Sequence, residues 1–239
     1  MPKFELDRIF VLSNKTMQKL VTSGFNESNL VITGDPTYDE YFQLLKTSKK
    51  RNISKNKKNI LILTTIIFGE SRKNVLSQRR FFMEEIIKAI PRNEFEVTVK
   101  IHPTHEDLKD YTNIVGPINS SVNVTQNANL VELILNADII ITPVTGTSAI
   151  CSLIARKPII IWNVFNVEND ALIQNELALP CKDQKMILEQ IRKAETWLPN
   201  EEKIEQFTRE YLHASDGKAS ERTAVEIVNF LKRHKPHLF

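Results

Sequence analysis

Apolar residues fall in short bursts along this chain, and between the bursts they return with helical spacing. The bursts lie at residues 8–12, 30–33, 60–65, 95–101, 122–125, 139–141, 159–162 and 175–181, and they read as strands. Helical patterns occupy residues 15–23, 38–45, 76–90, 130–136, 149–155, 184–194, 201–212 and 218–233. Strands that alternate with helices predict an α/β fold with a doubly wound, mostly parallel sheet. Ile139, Ile140 and Ile141 run without polar alternation, as a strand covered on both faces does.

The stretch "ADIIITPVTGTSAICSLIARKPIIIW", residues 137–162, carries the most local information. Pro143 has no N–H for a sheet ladder and stops the first strand. Gly146 relaxes the backbone, and Thr145, Thr147 or Ser148 can cap a helix. Pro158 ends that helix before the next buried strand. This is a βαβ unit whose loop sits at the carboxyl end of a strand, where open parallel sheets bind ligands. A helix start with unpaired N–H groups suits a phosphate. Every βα unit has such a loop, so a plain structural turn stands equally beside the phosphate reading.

Residues 46–59 are basic and almost free of apolar side chains, which describes a solvated linker better than a nucleic-acid patch. They divide the chain into residues 1–47, a linker at 48–58, and a body at 59–239 that includes the C-terminal helices. Residues 8–23 alone make one strand and one helix, too little for a core. That unit must lean on the larger body, lean on another chain, or be disordered.

Charge adds an exclusion. Thirty-two basic against 29 acidic residues leave a formal +3, too weak to argue for nucleic acid. Cys151 and Cys181 sit in apolar segments and read as reduced core residues of a cytosolic protein. No signal peptide and no span of eighteen apolar residues is evident, so no transmembrane segment is expected. Asn-x-Ser/Thr patterns occur at Asn26, Asn52, Asn119 and Asn123, and without a secretion signal they read as chance.

Polar clusters gather at the strand ends. "TTIIFGESR" follows the strand at 60, and "KIHPTHE" supplies Lys100, His102 and His105. "SDGKASER" opens the last long helix, where Lys218, Ser220 and Arg222 lie beside a helix start and could hold an anion. Each has a plainer reading: His102 can bond its own loop backbone, and Arg222 can pair with Glu221 or Glu226. Two histidines on a proline-containing loop do not make a zinc site. Neither a G-x-x-x-x-G-K-[ST] loop nor a G-x-G-x-x-G fingerprint occurs, and Ser148 lies in no nucleophile elbow.

The strings "VITGDPTYDEYF", "VKIHP", "NADIIITPVTGTSAICSLIARKPIIIW" and "DGKASERTAVEIVNFL" arrive in an order that resembles the nucleotide-binding C-terminal half of GT-B glycosyltransferases. The look is similar to the group holding UDP-N-acetylglucosamine 2-epimerases, capsule polysaccharide transferases and CDP-glycerol glycerophosphotransferases of teichoic-acid assembly. The resemblance covers roughly residues 8–232. It implies Rossmann-like domains facing a cleft, with residues 1–47 a remnant of the N-terminal acceptor domain and 59–239 the nucleotide-diphosphate-binding domain. By motif it implies that Thr145, Gly146, Thr147 and Ser148 cradle phosphate, with His102 near the diphosphate or sugar and Lys100 beside it. Arg72 would stand where the first loop often carries a basic residue, and Asp216 and Gly217 would support the cleft edge.

The chain departs from the pattern in three places. Cys151 stands where such proteins often carry a Glu that binds ribose hydroxyls, and a thiol cannot accept two hydrogen bonds from a diol. "TTIIFGESR" replaces the His-Arg that epimerases usually place after their first strand. By the resemblance, an N-terminal acceptor domain would be missing. The resemblance therefore implies the donor-binding domain of a nucleotide-sugar-dependent, glycosyltransferase-like enzyme of surface polysaccharide assembly, inactive as an isolated chain. A 2-epimerase relative, and a non-catalytic scaffold that keeps the fold, are the alternatives. The expected partners are a nucleotide diphosphate sugar as substrate, with no separate cofactor, and the missing acceptor domain or a partner chain. A homo-oligomer is allowed for. The expected place is the cytoplasm or the inner membrane face.

Overall fold

The structure, a computed structural model, describes residues 6–47, 57–64, 72–162 and 170–238. In chain order its elements are β1 (Ile9–Val11), α1 (Asn14–Thr22), β2 (Leu30–Ile32), α2 (Asp39–Thr47), β3 (Lys58–Leu63), α3 (Arg72–Ala89), β4 (Phe95–Lys100), α4 (Leu108–Val115), β5 (Asn123–Thr125) and α5 (Leu130–Asn136). They continue with β6 (Ile139–Thr142), α6 (Thr147–Ile154), β7 (Ile159–Trp162), α7 (Ala171–Gln174), β8 (Leu179–Cys181), α8 (Ile187–Ala194), α9 (Glu201–Leu212) and α10 (Ala219–His234). The chain forms two compact units. One is made from its two ends, residues 1–49 and 201–239, and the other from residues 50–200.

The unit at 50–200 is a six-stranded sheet in the order β5-β4-β3-β6-β7-β8, with every pair parallel. Counted within the unit, the strand order is 3-2-1-4-5-6, and it reverses between β3 and β6. The central strands are buried along their lengths because helices cover both faces: Ile62, Ile140, Ile141 and Ile160 are wholly buried. This is why their sequences are continuous Ile and Leu runs. Phe82, Met83 and Ile86 of α3 pack on one face against Trp162, Ile187 and Ile191. Each such side chain contributes about 1.5–3 kcal/mol by leaving water.

The other unit pairs β1 with β2 in a two-stranded parallel sheet. Ser13 caps α1 by accepting from the Thr16 N–H at 3.4 Å. Ile204, Phe207 and Leu212 of α9 are buried, and α9 packs against α1.

The expected body at 59–239 differs from this division, because α9 and α10 group with the N-terminal segment. The physical reason lies in the hydrogen bonds described below, which tie residues 33–43 to residues 216–222. Two local expectations also shift. The strand placed at 175–181 is only Leu179–Cys181, because Asp170 caps α7 ahead of it and Glu176 turns the chain at φ 55°. Helix α4 was not anticipated, although Asp107 caps it through the Lys109 N–H at 2.7 Å. Its apolar positions Leu108, Tyr111 and Val115 recur at helical spacing.

Candidate functional site

Three loops leave the carboxyl ends of β3, β4 and β6, around the point where the strand order reverses. The loop after β3, residues 65–71, lies outside the described residues. Arg72 opens α3, and its side chain lies outside them too.

The loop after β4 is held in place from several sides. Thr64 extends β3 by one ladder bond, its N–H reaching the Lys100 carbonyl at 3.1 Å. The His102 N–H donates to Glu106 Oε2 at 2.6 Å and to Thr64 Oγ1 at 3.1 Å. The Thr64 hydroxyl donates to the same carboxylate oxygen. Tyr111 of α4 donates its hydroxyl to Glu106 Oε1 at 2.5 Å. The Gln126 amide donates to the carbonyls of His102 (3.3 Å), Pro103 (3.1 Å) and Glu106 (2.8 Å). The Thr104 N–H donates to His102 Nδ1 at 3.3 Å, which makes Nδ1 an acceptor and leaves Nε2 to carry the proton of the neutral ring. His105 lies near, with ring centroids 5.1 Å apart.

Lys100 turns away from a simple anion-binding role. Its Nζ donates to the carbonyls of Gln126 (2.7 Å) and Ile101 (3.1 Å), so it braces the loop. Burial lowers its pKa and the Glu106 charge opposes that, with burial prevailing.

The loop after β6 divides. Thr145 is held by Asp170: its N–H reaches Oδ2 at 2.7 Å and its hydroxyl reaches Oδ1 at 2.6 Å. Asp170 is 4% exposed and also accepts from the Leu172 and Ile173 N–H groups at the start of α7. The donors that sequence motifs assign to phosphate at Thr145 therefore already face a carboxylate. Gly146, at the N-cap of α6, brings no capping side chain, and Thr147 and Ser148 form the first turn. Cys151, one turn further, is fully buried.

Asp216 and Gly217 belong to the other unit, where they form a latch. Asp39, at the end of "GDPTYD", accepts from the Ala219 N–H (2.9 Å), the Ser220 N–H (2.8 Å) and the Ser220 hydroxyl (2.7 Å). The start of α10, which the sequence offers as an anion site, is thus capped by the chain's own carboxylate. Arg222 pairs with Asp216 at 2.6 Å and donates through Nε to the Thr33 carbonyl at 2.8 Å, in place of Glu221 or Glu226. Gly217 adopts φ +70°, and its carbonyl accepts from Gln43 at 3.1 Å. Gly34, at φ +81°, brings Ala219 and Arg222 within 3.3 Å of where a Cβ would stand.

Sequence reasoning missed Glu106, Gln126 and Asp170. Asp170 carried a usable signal, a capping residue before the apolar turn Ala171-Leu172-Ile173. Glu106 and Gln126 act through the loop's folded shape and have no signal in spacing. Among the described residues no group of His, Cys, Asp and Glu could hold a metal ion. No described helix is long and apolar enough to cross a membrane.

A doubly wound sheet with polar loops at the reversal of strand order is a Rossmann-like architecture, which binds ligands at that reversal. The family model of CDP-Glycerol:Poly(glycerophosphate) glycerophosphotransferase matches residues 5–229, and the chain belongs to that family. No curated protein matches it by sequence. Among solved structures it is similar to the UDP-GlcNAc 2-epimerase of Neisseria meningitidis bound to UDP-GlcNAc, with TM-score 0.63, 14% identity, and coverage of 93% of this chain and 62% of that one. It is similar to the Methanocaldococcus jannaschii UDP-GlcNAc 2-epimerase in complex with UDP-GlcNAc and UDP, with TM-score 0.60, 14% identity, and coverage of 94% and 61%. The wall teichoic acid polymerase TagF gives TM-score 0.60, 16% identity, and coverage of 96% and 59%. At these identities the likeness is one of fold. The chain spans about three fifths of the length of these structures.

Proposed function

We propose that the chain is the donor-binding part of a glycerophosphotransferase-like enzyme of cell-surface polymer assembly, gripping the nucleotide diphosphate of an activated donor. The observation that carries this reading is the pairing of two features on one sheet edge: the braced His102 loop after β4 and the α6 start after β6, where Gly146 supplies no capping side chain. Backbone N–H groups of the first α6 turn and the positive end of its dipole would stabilise the departing diphosphate. A protonated His102 Nε2 would donate to a phosphate oxygen. Family membership supports CDP-glycerol over a UDP-sugar as the donor.

Calorimetry of the chain against CDP, CDP-glycerol, UDP and UDP-GlcNAc tests the proposal. Binding of the cytidine ligands is expected, and His102→Ala should weaken it by about 1–3 kcal/mol, the value of a hydrogen bond to a charged group. No heat with any ligand would overturn the reading and leave a scaffold that keeps the fold. Two observations favour that second reading: Asp170 occupies the Thr145 donors, and Cys151 is sealed in the core. Conversion of UDP-GlcNAc without an acceptor would instead establish epimerase chemistry.

A further inference from the structure

The His102 loop is organised by one carboxylate. Glu106 accepts from groups on three parts of the unit: the Thr64 hydroxyl at the end of β3, the Tyr111 hydroxyl on α4, and the backbone N–H of His102 itself. Loops that merely connect elements satisfy their backbone groups with local turns or water. Here a single side chain gathers donors from a strand end, a helix and the loop it belongs to, while Gln126 ties the loop's carbonyls from the opposite side. The product is a fixed imidazole, whose Nδ1 is committed to Thr104.

We propose that Glu106 is a positioning residue for His102, holding the loop so that the ring keeps Nε2 protonated and presented to the donor's phosphate. The role rests on the reading of His102 as a donor-binding group. Glu106 acts through its hold on the His102 backbone and is itself assigned no contact with substrate. An ionised carboxylate accepts with both oxygens, whereas a glutamine amide keeps only one acceptor. Substitution therefore has a graded outcome: Glu106→Gln retains part of the brace and Glu106→Ala removes it.

The decisive measurement is nitrogen NMR of the His102 ring in the ligand-free chain, assigned by its loss in His102→Ala. The wild type should show an unprotonated Nδ1 and a protonated Nε2. Glu106→Ala should move both signals toward averaging of the two tautomers, and Glu106→Gln should fall between. A purely structural role would lower stability and leave the ring signature unmoved, and that result in either variant overturns the proposal. If Glu106→Ala fails to fold, Glu106→Gln and Tyr111→Phe, which removes one of the three donors, carry the test. Titration with CDP gives the second readout. Glu106→Ala should weaken binding roughly tenfold in the wild-type background and not at all in His102→Ala, because residues acting through one another are non-additive. An equal loss in both backgrounds overturns the positioning role. Absence of CDP binding by the wild type would sink the donor-binding reading alone, since the ring signature decides on Glu106 without any ligand.

Discussion

Replacing Asp39 by Ala removes three hydrogen bonds at once, all from the first turn of α10. The Ala219 and Ser220 N–H groups lose a charged acceptor at 2.9 and 2.8 Å, and the Ser220 hydroxyl loses one at 2.7 Å. Ala219 is only 4% exposed, so water cannot readily take its N–H. Loss of a capping side chain costs about 0.5–2 kcal/mol. A nearly buried donor left unmade costs about 1–3 kcal/mol more. Together these place the loss at about 2–4 kcal/mol for Asp39→Ala, with Asp39→Asn costing less because one acceptor oxygen survives. Hydrogen exchange of residues 219–234 and urea unfolding both report it. Acid should reproduce the effect. Burial of Asp39 raises its pKa, but the bonds from Ser220 and Ala219 and the Arg222 charge outweigh that and leave it lowered. A carboxylate with a depressed folded pKa stabilises the fold above its unfolded value of about 3.9 and loses that contribution as pH falls through the folded value. Asp216 shifts the same way: burial opposes, and the bonds from Arg222 and the Lys218 N–H prevail. Protection of α10 should therefore fall below about pH 4, less steeply in Asp39→Asn. A loss under about 0.5 kcal/mol in Asp39→Ala, the range of ordinary surface changes, would refute the latch.

Asp170→Ala should destabilise the six-stranded unit by about 2–4 kcal/mol in urea unfolding, because it strands the Thr145, Leu172 and Ile173 N–H groups together. Gly217→Ala should cost about 1–2 kcal/mol in the same measurement, since φ is +70° and a new Cβ would meet the Asp39 carbonyl at 3.1 Å. Cys181 should resist a thiol reagent at pH 8 in the folded chain and react once urea is added, because burial pushes its pKa up to about 12 and the side chain is fully covered.

Most of the six-stranded sheet was readable from sequence, since its strands are unbroken apolar runs and its helices repeat at helical spacing. Helix α5 matched its expected span because asparagine and alanine mark its ends, and β6 runs one residue past its expected span, to Thr142 before the proline. The domain boundary was not readable. Nothing in a linear pattern says that Asp39 will cap a helix 180 residues away, or that Arg222 will reach the Thr33 carbonyl. The motif "GDPTYD" and the motif "DGKASER" were both visible, yet their meeting is a tertiary fact. The placement of the loops was legible: His102 follows β4 and residues 145–148 follow β6, the two strands that flank β3. At the level of donors, Lys100 and Thr145 have the residue types of ligand-binding groups, and the structure shows both hydrogen-bonded within the fold.

Those internal contacts share one physical cause. A helix start or a turn with several N–H groups pointing the same way attracts negative charge whatever its source. In this chain the source is often the chain itself. Asp39 occupies the start of α10, Asp170 occupies Thr145 and the start of α7, and Glu106 occupies the turn at His102. Sequence patterns that read as anion sites are therefore divided by a simple criterion: whether a carboxylate from elsewhere reaches the same donors. Asp216 and Gly217 fall on the occupied side, as does Thr145. The first turn of α6 differs among the described residues, because Gly146 has no side chain with which to cap it. A diphosphate would have to displace buried, multiply bonded carboxylates at the first set, at a cost comparable to what it gains there. At Gly146, Thr147 and Ser148 no capping side chain competes among the described residues, and these three residues, with His102 after β4 on the far side of β3, are where the proposed donor binding is to be tested.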